Sequence, residues 1–216
     1  MPAVKFCGLR RAEDAAEAVR LGAGYVGVIF AGGPRLVTVE EARTVLAATR
    51  DSLHVRRVGV FGAGTPAAIA RVVTEVGLDV VQLSADPDAE TVDAVRAATG
   101  VEVWAAVRCA TEFPPSAVTL FEHADAVLLD AKVEGKLGGT GRTLPWQNFA
   151  QARRAARTSG RRLVLAGGLT PENVAEAITV LQPDVVDVSS GVETAPGVKD
   201  HERMRAFVDA IHSVHS

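Results

Sequence analysis

A thiol and a carboxyl group each close an apolar run of this chain. Cys7 ends Val4-Lys5-Phe6-Cys7-Gly8, and Asp130 ends Ala126-Val127-Leu128-Leu129-Asp130. A thiolate is a competent base or nucleophile, and a carboxyl in a partly dry cavity is a competent general acid. Lys5 stands two residues before Cys7 and therefore points to the same side of a strand. Its ammonium is expected to lower the thiol pKa. Taken alone, Cys7 reads as an inert buried thiol and Asp130 as a helix N-cap, the commoner fates of both residue types. Their surroundings argue otherwise. Gly8 leaves room beside Cys7 for a ligand or a second backbone. Asp130 runs into a long glycine-rich segment, Ala131 to Gly141, where a capped helix would start at once. Loops of that length on a rigid scaffold tend to carry function. Cys109, in Val107-Arg108-Cys109-Ala110, lacks such a setting and is expected to be structural.

Three glycine turns supply the third feature: Gly138-Gly139-Thr140-Gly141, Gly167-Gly168 and Ser189-Ser190-Gly191. Backbone N–H groups with no side chain in the way cradle phosphate. Gly138, Gly139, Gly141, Gly167, Gly168, Ser189, Ser190 and Gly191 are therefore the candidate phosphate contacts. Arg35, after Gly32-Gly33-Pro34, reads either as a solvated loop residue, the commoner fate, or as a planar fork for a substrate carboxylate. Asp187, in Val185-Val186-Asp187-Val188, and Gln82, in Val80-Val81-Gln82-Leu83, are polar inside apolar runs. A buried carboxylate needs a partner, so Asp187 is read equally as a lattice residue and as a substrate contact. Trp146 is read as packing at a helix start.

These residues need elements to bring them together. Short Val/Ile/Leu-rich runs predict strands at about 3–7, 25–30, 56–61, 79–83, 101–107, 125–129, 162–166 and 185–189. Continuous apolar runs suit parallel strands covered by helices. Helices are expected between them, at about 11–21, 39–50, 66–76, 88–99, 113–122, 146–159, 171–181 and 200–213. Thr38, Thr65-Pro66 and Thr170-Pro171 read as helix starts, and Gly22, Gly77, Gly100 and Gly160 as helix ends. Pro114 and Pro115 crowd the start of the fifth helix. Eight β/α units in 216 residues leave about 27 for each, which favours a closed barrel over an open sheet. The first turn, Cys7-Gly8-Leu9-Arg10, lacks the G-x-G-x-x-G of a dinucleotide site. The expectation is an α/β chain, one (β/α)8 barrel domain over residues 1–216. Its strand ends share one rim, so thiol, acid and phosphate turns face one cavity. That implies an enzyme of a small phosphorylated molecule.

Composition narrows the rest. The net charge of −3 and the scattered Arg and Lys give no basic stripe for nucleic acid. Two distant cysteines and five unclustered histidines predict neither a disulfide framework nor a metal site. No apolar run approaches membrane-spanning length, and polar residues from Lys5 onward argue against a signal peptide. A functional thiol suits a reducing cytoplasm.

On these residues the chain resembles the phosphoribosylanthranilate isomerases. The matching pieces are Lys5-Phe6-Cys7-Gly8, Gly33-Pro34-Arg35, Val58-Gly59-Val60-Phe61, Val80-Val81-Gln82-Leu83, Leu129-Asp130, Gly138-Gly139-Thr140-Gly141, Leu165-Ala166-Gly167-Gly168-Leu169, Asp187-Val188-Ser189-Ser190-Gly191-Val192-Glu193 and Pro196-Gly197-Val198-Lys199-Asp200. The resemblance implies an Amadori rearrangement in tryptophan biosynthesis, with neither cofactor nor metal, by a monomer or homodimer. It implies Asp130 as general acid, Cys7 as base at C2 of the sugar, Arg35 on the anthranilate carboxylate and Asp187 as a further acid near the sugar. The chain departs from the family after Gln82-Leu83, where Ser84-Ala85 stands in place of the usual His-Gly. The rival readings are the histidine-pathway Amadori isomerase, indole-glycerol-phosphate synthase and a barrel that binds sugar phosphates without turnover. Cys7 and the single set of phosphate turns argue against the first, and the lack of a Lys at the second strand's end argues against the second.

Overall fold

The computed structural model describes residues 1–131 and 145–214. Eight parallel strands close a barrel in chain order: β1 (Ala3–Phe6), β2 (Tyr25–Ile29), β3 (Arg56–Phe61), β4 (Val80–Leu83), β5 (Glu102–Cys109), β6 (Ala126–Ala131), β7 (Arg162–Leu165) and β8 (Val185–Val188). The ring is completed by β1 on β8, from Ala3 opposite Val185 to Phe6 opposite Val188. The helices α1 (Ala12–Arg20), α2 (Val39–Ala47), α3 (Pro66–Val76), α4 (Ala89–Thr99), α5 (Leu120–His123), α6 (Ala150–Ser159), α7 (Val174–Leu181) and α8 (His201–Ser213) alternate with them. A small antiparallel pair, β9 (Glu193–Ala195) and β10 (Val198–Lys199), is inserted after β8.

Alternation along each strand divides the core in two. One set faces the barrel axis and includes Tyr25, Val58, Val80, Trp104, Leu128, Val164 and Val185. The other set, including Phe6, Val26, Val81, Val103, Leu129, Leu163 and Val186, packs outward against the helices. That is why the strands read as unbroken apolar runs: both faces are buried. The axial set carries polar residues near its upper end, Lys5, Gln82 and Asp187, all buried.

Local signals set several of the helix ends. Thr38 Oγ1 accepts from the Glu41 N–H at 3.1 Å, and Glu41 accepts from the Thr38 N–H at 2.7 Å, a reciprocal cap of α2. Thr65 caps α3 ahead of Pro66. Gly77, Gly100 and Gly160 close α3, α4 and α6 in the left-handed conformation.

The fifth, sixth and seventh helices start later than the sequence expectation. The fifth opens as a 3-10 turn, Pro115–Thr119, and only Leu120–His123 is α-helical; Pro115 disfavours the α conformation at Pro114, which is extended with ψ 126°, so no helix starts before it. The seventh begins at Val174. Thr170 there accepts from the Glu172 N–H at 3.3 Å, and Asn173 Oδ1 accepts from the Thr170 N–H at 2.8 Å. These bonds fold 170–173 into a turn of their own. The 3-10 turn Trp146–Phe149 also precedes α6, with Trp146 buried as expected of packing. Among the described residues, no helix is long and apolar enough to cross a membrane.

Candidate active site

The strand ends open into one cavity of about 690 Å³. Its lining brings together most of the residues singled out from the sequence: Cys7 from β1, Arg35 from the loop after β2, Gln82 from β4, Asp130 from β6, Gly167 and Gly168 after β7, and Asp187, Ser189 and Ser190 from β8 and its end. Gly191 does not line it. A Cβ on Gly191 would stand 1.9 Å from the Leu169 carbonyl oxygen, so this glycine lets the β8 loop close against the β7 loop. Gly138, Gly139 and Gly141 lie outside the described residues.

Cys7 and Lys5 face the axis because β2 presents Gly27 to them. A Cβ there would lie 3.1 Å from Cys7 Sγ and 3.3 Å from Lys5 Cε. Lys5, wholly buried, donates to Asp187 Oδ2 at 2.7 Å across the β1–β8 pair, in which the two residues are in register. Burial is the largest single influence and opposes the ammonium, but the Asp187 carboxylate and the Cys7 sulfur together outweigh it and hold the Lys5 pKa above its usual range. The lattice reading of Asp187 is thereby met by Oδ2. Its Oδ1 is buried without a hydrogen-bond partner, in a residue that lines the cavity. Gln82 shows the same division: Nε2 donates to Ser84 Oγ at 3.0 Å, and Oε1 has no partner.

The thiol departs from the sequence expectation. A neighbouring Lys5 should lower the Cys7 pKa, yet the thiol lies above its ordinary value. Burial is the larger effect, and the Asp187 carboxylate adds to it; the charges of Lys5 and Lys199 pull the other way without prevailing. Cys109, by contrast, is buried at the outer face of β5, and burial pushes its pKa up to about 12. It is a packing residue.

Arg35 lies across the end of β1. A Cβ on Gly8, whose φ is +70°, would come within 2.5 Å of Arg35 Cδ, so only glycine admits the arginine here. The guanidinium is bound by Glu193, with Nε to Oε1 at 2.9 Å and Nη2 to Oε2 at 2.6 Å. Lys199, buried, donates to the same carboxylate at 2.8 Å and to the Ser189 carbonyl at 3.0 Å. Burial pushes Glu193 up, but Arg35 and Lys199 outweigh it and hold its carboxyl below the usual range. Burial pulls Lys199 below its usual value against the opposing charge of Glu193. Two cations thus share one carboxylate, leaving a positive excess beside the Ser189 turn, which suits an anion.

The sequence assigns no role to Glu193 or Lys199. They reach the site only through the β9–β10 pair, whose three and two residues carry no periodic signal. Arg108 also goes unmarked there, although alternation from Trp104 through Ala106 places it on the axial face, and it lines the cavity. Among the described residues, no group of His, Cys, Asp and Glu could hold a metal ion.

The sequence model of a family described as N-(5'phosphoribosyl)anthranilate (PRA) isomerase matches residues 4–210. The N-(5'-phosphoribosyl)anthranilate isomerase of Rubrobacter xylanophilus is 42% identical over 214 residues, covering 99% of this chain and all of that protein. The crystal structure of phosphoribosyl anthranilate isomerase from Thermotoga maritima superimposes with a TM-score of 0.86 at 36% identity, over 99% of this chain and all of that one. A second solved isomerase, in complex with reduced 1-(o-carboxyphenylamino)-1-deoxyribulose 5-phosphate, gives 0.81 at 34% identity, covering 99% of this chain and all of its own.

Proposed function

The chain belongs to the N-(5'-phosphoribosyl)anthranilate isomerase family, and we propose that it carries out that family's Amadori rearrangement with Cys7 and Asp130 as the acid–base pair. The substrate is N-(5-phosphoribosyl)anthranilate, the product 1-(2-carboxyphenylamino)-1-deoxyribulose 5-phosphate, and the pathway tryptophan biosynthesis. The observation that carries the assignment of roles is the single cavity that a β1 thiol and a β6 carboxyl share with the glycine turns after β7 and β8.

The steps derive from that arrangement. The backbone N–H groups about Gly167, Gly168, Ser189 and Ser190, with Gly191 supporting the turn, receive the phosphate. Gly138, Gly139 and Gly141 belong to the same proposed set. The anchored sugar then lies between Cys7 and Asp130. Asp130 protonates the furanose ring oxygen; the bond from C1 to that oxygen breaks, and the anilino nitrogen supplies the electrons to form a Schiff base. Cys7, as thiolate, removes the proton from C2 and the electrons move to nitrogen, giving an enolamine. Tautomerisation of the enolamine yields the ketone. Arg35 takes the anthranilate carboxylate and exchanges Glu193 for it. Gln82 and Asp187 contact the sugar through Oε1 and Oδ1, the two buried side-chain acceptors without partners among the described residues. The steps are proton transfers and one nitrogen-assisted C–O cleavage, with no net oxidation or reduction, so the reaction calls for no cofactor. We place the enzyme in the cytoplasm, as a monomer or homodimer, where its two free thiols stay reduced.

The test is turnover by the purified protein of freshly generated substrate, monitored by loss of its fluorescence. Cys7→Ala and Asp130→Asn are each expected to lower kcat by about 10³-fold or more while the far-UV spectrum and melting temperature hold. Near-wild-type turnover in either variant would refute the roles assigned here.

A further inference from the structure

The rim is unequally furnished. Phosphate at the β7 and β8 turns, with the sugar between Cys7 and Asp130, leaves the wall formed by β2 to β5 for the aromatic part of the substrate. Among the described residues that line the cavity there is no aromatic ring. The flat cationic groups on that wall are two guanidinium planes, Arg35 and Arg108, beside the Gln82 carboxamide that is engaged with Ser84. Arg35 meets carboxylates edge-on, as its hydrogen bonds to Glu193 show.

Arg108 is placed differently. Its strand neighbour in register is Asp130, so the two side chains leave the β5–β6 pair side by side on the axial face. Asp86, in the loop just beyond Ser84, fixes it twice over. Oδ1 accepts from the Arg108 backbone N–H at 2.8 Å, and Oδ2 accepts from Nε at 2.7 Å. Nη2 lies 2.5 Å from the same Oδ2. Asp86 itself is held at a φ of +49°, a conformation in which a non-glycine residue is uncommon. A guanidinium gripped along one edge keeps its plane fixed and its face available.

We propose that Arg108 is a specificity-determining residue that stacks its guanidinium on the anthranilate ring, with Asp86 as the positioning residue that sets its plane. The proposal rests on the isomerase reading above and adds a contact to it. It also accounts for the wall around Ser84, whose hydroxyl is engaged by Gln82 and offers the ring no flat surface. A cation over an aromatic face is electrostatically favourable, and more so as water is excluded.

The experiment compares two inhibitors in the wild-type protein and in Arg108→Ala, Arg108→Lys and Asp86→Asn. One is the reduced product analogue, which carries the ring; the other is ribulose 5-phosphate, which does not. Arg108→Ala is expected to raise the inhibition constant of the ring-bearing analogue, and the KM, about tenfold. The constant for ribulose 5-phosphate should stay within about twofold and kcat within about threefold on the same argument. Arg108→Lys should recover less than half of the lost affinity, because charge is retained and the plane is not. Asp86→Asn should raise KM by a smaller factor without changing kcat. An unchanged constant for the analogue, equal weakening of both inhibitors, or full recovery in the lysine variant would overturn the proposal. If Arg108→Ala does not fold, Arg108→Gln carries the same comparison. Wild-type turnover tests the isomerase reading itself, whereas Arg108 is judged only on ratios of variant to wild type.

Discussion

Cys7 lies in a balance of opposed influences. Burial and the Asp187 carboxylate hold its proton on, while the charges of Lys5 and Lys199 favour its release. A base that starts protonated works only through its thiolate fraction, so the charges around it set how much of the enzyme is ready at a given pH. The signs of the two neighbours are opposite and separable. In a Cys109→Ser background, the alkylation rate of the ligand-free protein by iodoacetamide is expected to rise with pH to a midpoint above the ordinary thiol value. Removing the negative neighbour in Asp187→Asn should move that midpoint down. Removing the positive one in Lys5→Met should move it up. A shift of the same sign in both variants would show that the two residues act on Cys7 by disturbing its packing and not by charge. The residue scale is also where the sequence was most and least legible. Cys7, Asp130, Arg35 and Asp187 stand out because each is a polar group ending or interrupting an apolar run. The height of the thiol pKa was not legible, because desolvation depends on how completely Gly27, Lys5 and their neighbours enclose the sulfur, and that is a property of the closed barrel.

Between elements, the buried Asp14 of α1 ties the start of the first helix to the last. It accepts from Arg11 at 2.9 Å and 2.6 Å and from the Lys199 backbone N–H at 3.2 Å, and His201 Nε2 is 2.8 Å away. Its side chain is fully covered, whereas Arg11 and His201 are each more than a third exposed. Burial pushes Asp14 up, but the hydrogen bonds from Arg11, His201 and the Lys199 backbone outweigh it and hold the carboxyl below its usual range. A lowered folded-state pKa means stability that is present above the unfolded-state value and lost as pH falls through the folded one. Asp14→Ala is therefore expected to cost about 2 kcal/mol in urea unfolding at pH 7, discounted for the exposure of the partners. The gap to wild type should narrow as the pH is lowered below the ordinary carboxylate range and through the depressed folded-state value; a gap independent of pH would mean that packing, not charge, carries the contact. Helices and strands were readable where period and cap agreed, as at Thr38-Glu41 and Gly77. They were misread where local bonds compete with the α-helix, at Thr170–Asn173 and at the two prolines before α5. The β9–β10 pair had no pattern to read, and with it went Glu193 and Lys199. Arg108, by contrast, sat on a legible alternation and needed only the rule that places Trp104 and Ala106.

Across the whole barrel, chemistry and cohesion occupy opposite ends. The upper rim holds the cavity and its unpartnered acceptors. The lower end is filled by a charged and aromatic layer that the strand starts bring together. Glu102 of β5 pairs with Arg56 of β3 and with Arg162 of β7. Trp104 donates its indole N–H to Glu102 at 2.5 Å, and Tyr25 packs edge-on against the Trp104 ring at 4.8 Å between centroids. The Tyr25 hydroxyl accepts from Arg162 Nη1 at 2.6 Å. Strands β2, β3, β5 and β7 are thereby cross-linked through one carboxylate. In a barrel of this kind the N-terminal end of the sheet serves stability and the C-terminal end serves catalysis. Glu102→Ala leaves two arginines facing each other and the wholly buried Trp104 with an unpaired indole N–H, a loss of about 2 kcal/mol. For a chain of this size that corresponds to a fall in Tm of about 4–8 °C. Glu102→Gln keeps an acceptor for Trp104 and should lose about half as much. In both variants kcat/KM below the transition should stay within about twofold of wild type, since a lost contact at the lower end leaves the rim geometry in place. If Glu102→Ala instead reduced kcat/KM more than tenfold with Tm unchanged, the two ends would be coupled through the axial layer of Lys5, Gln82 and Asp187. The division of labour along the barrel axis would then be wrong for this protein.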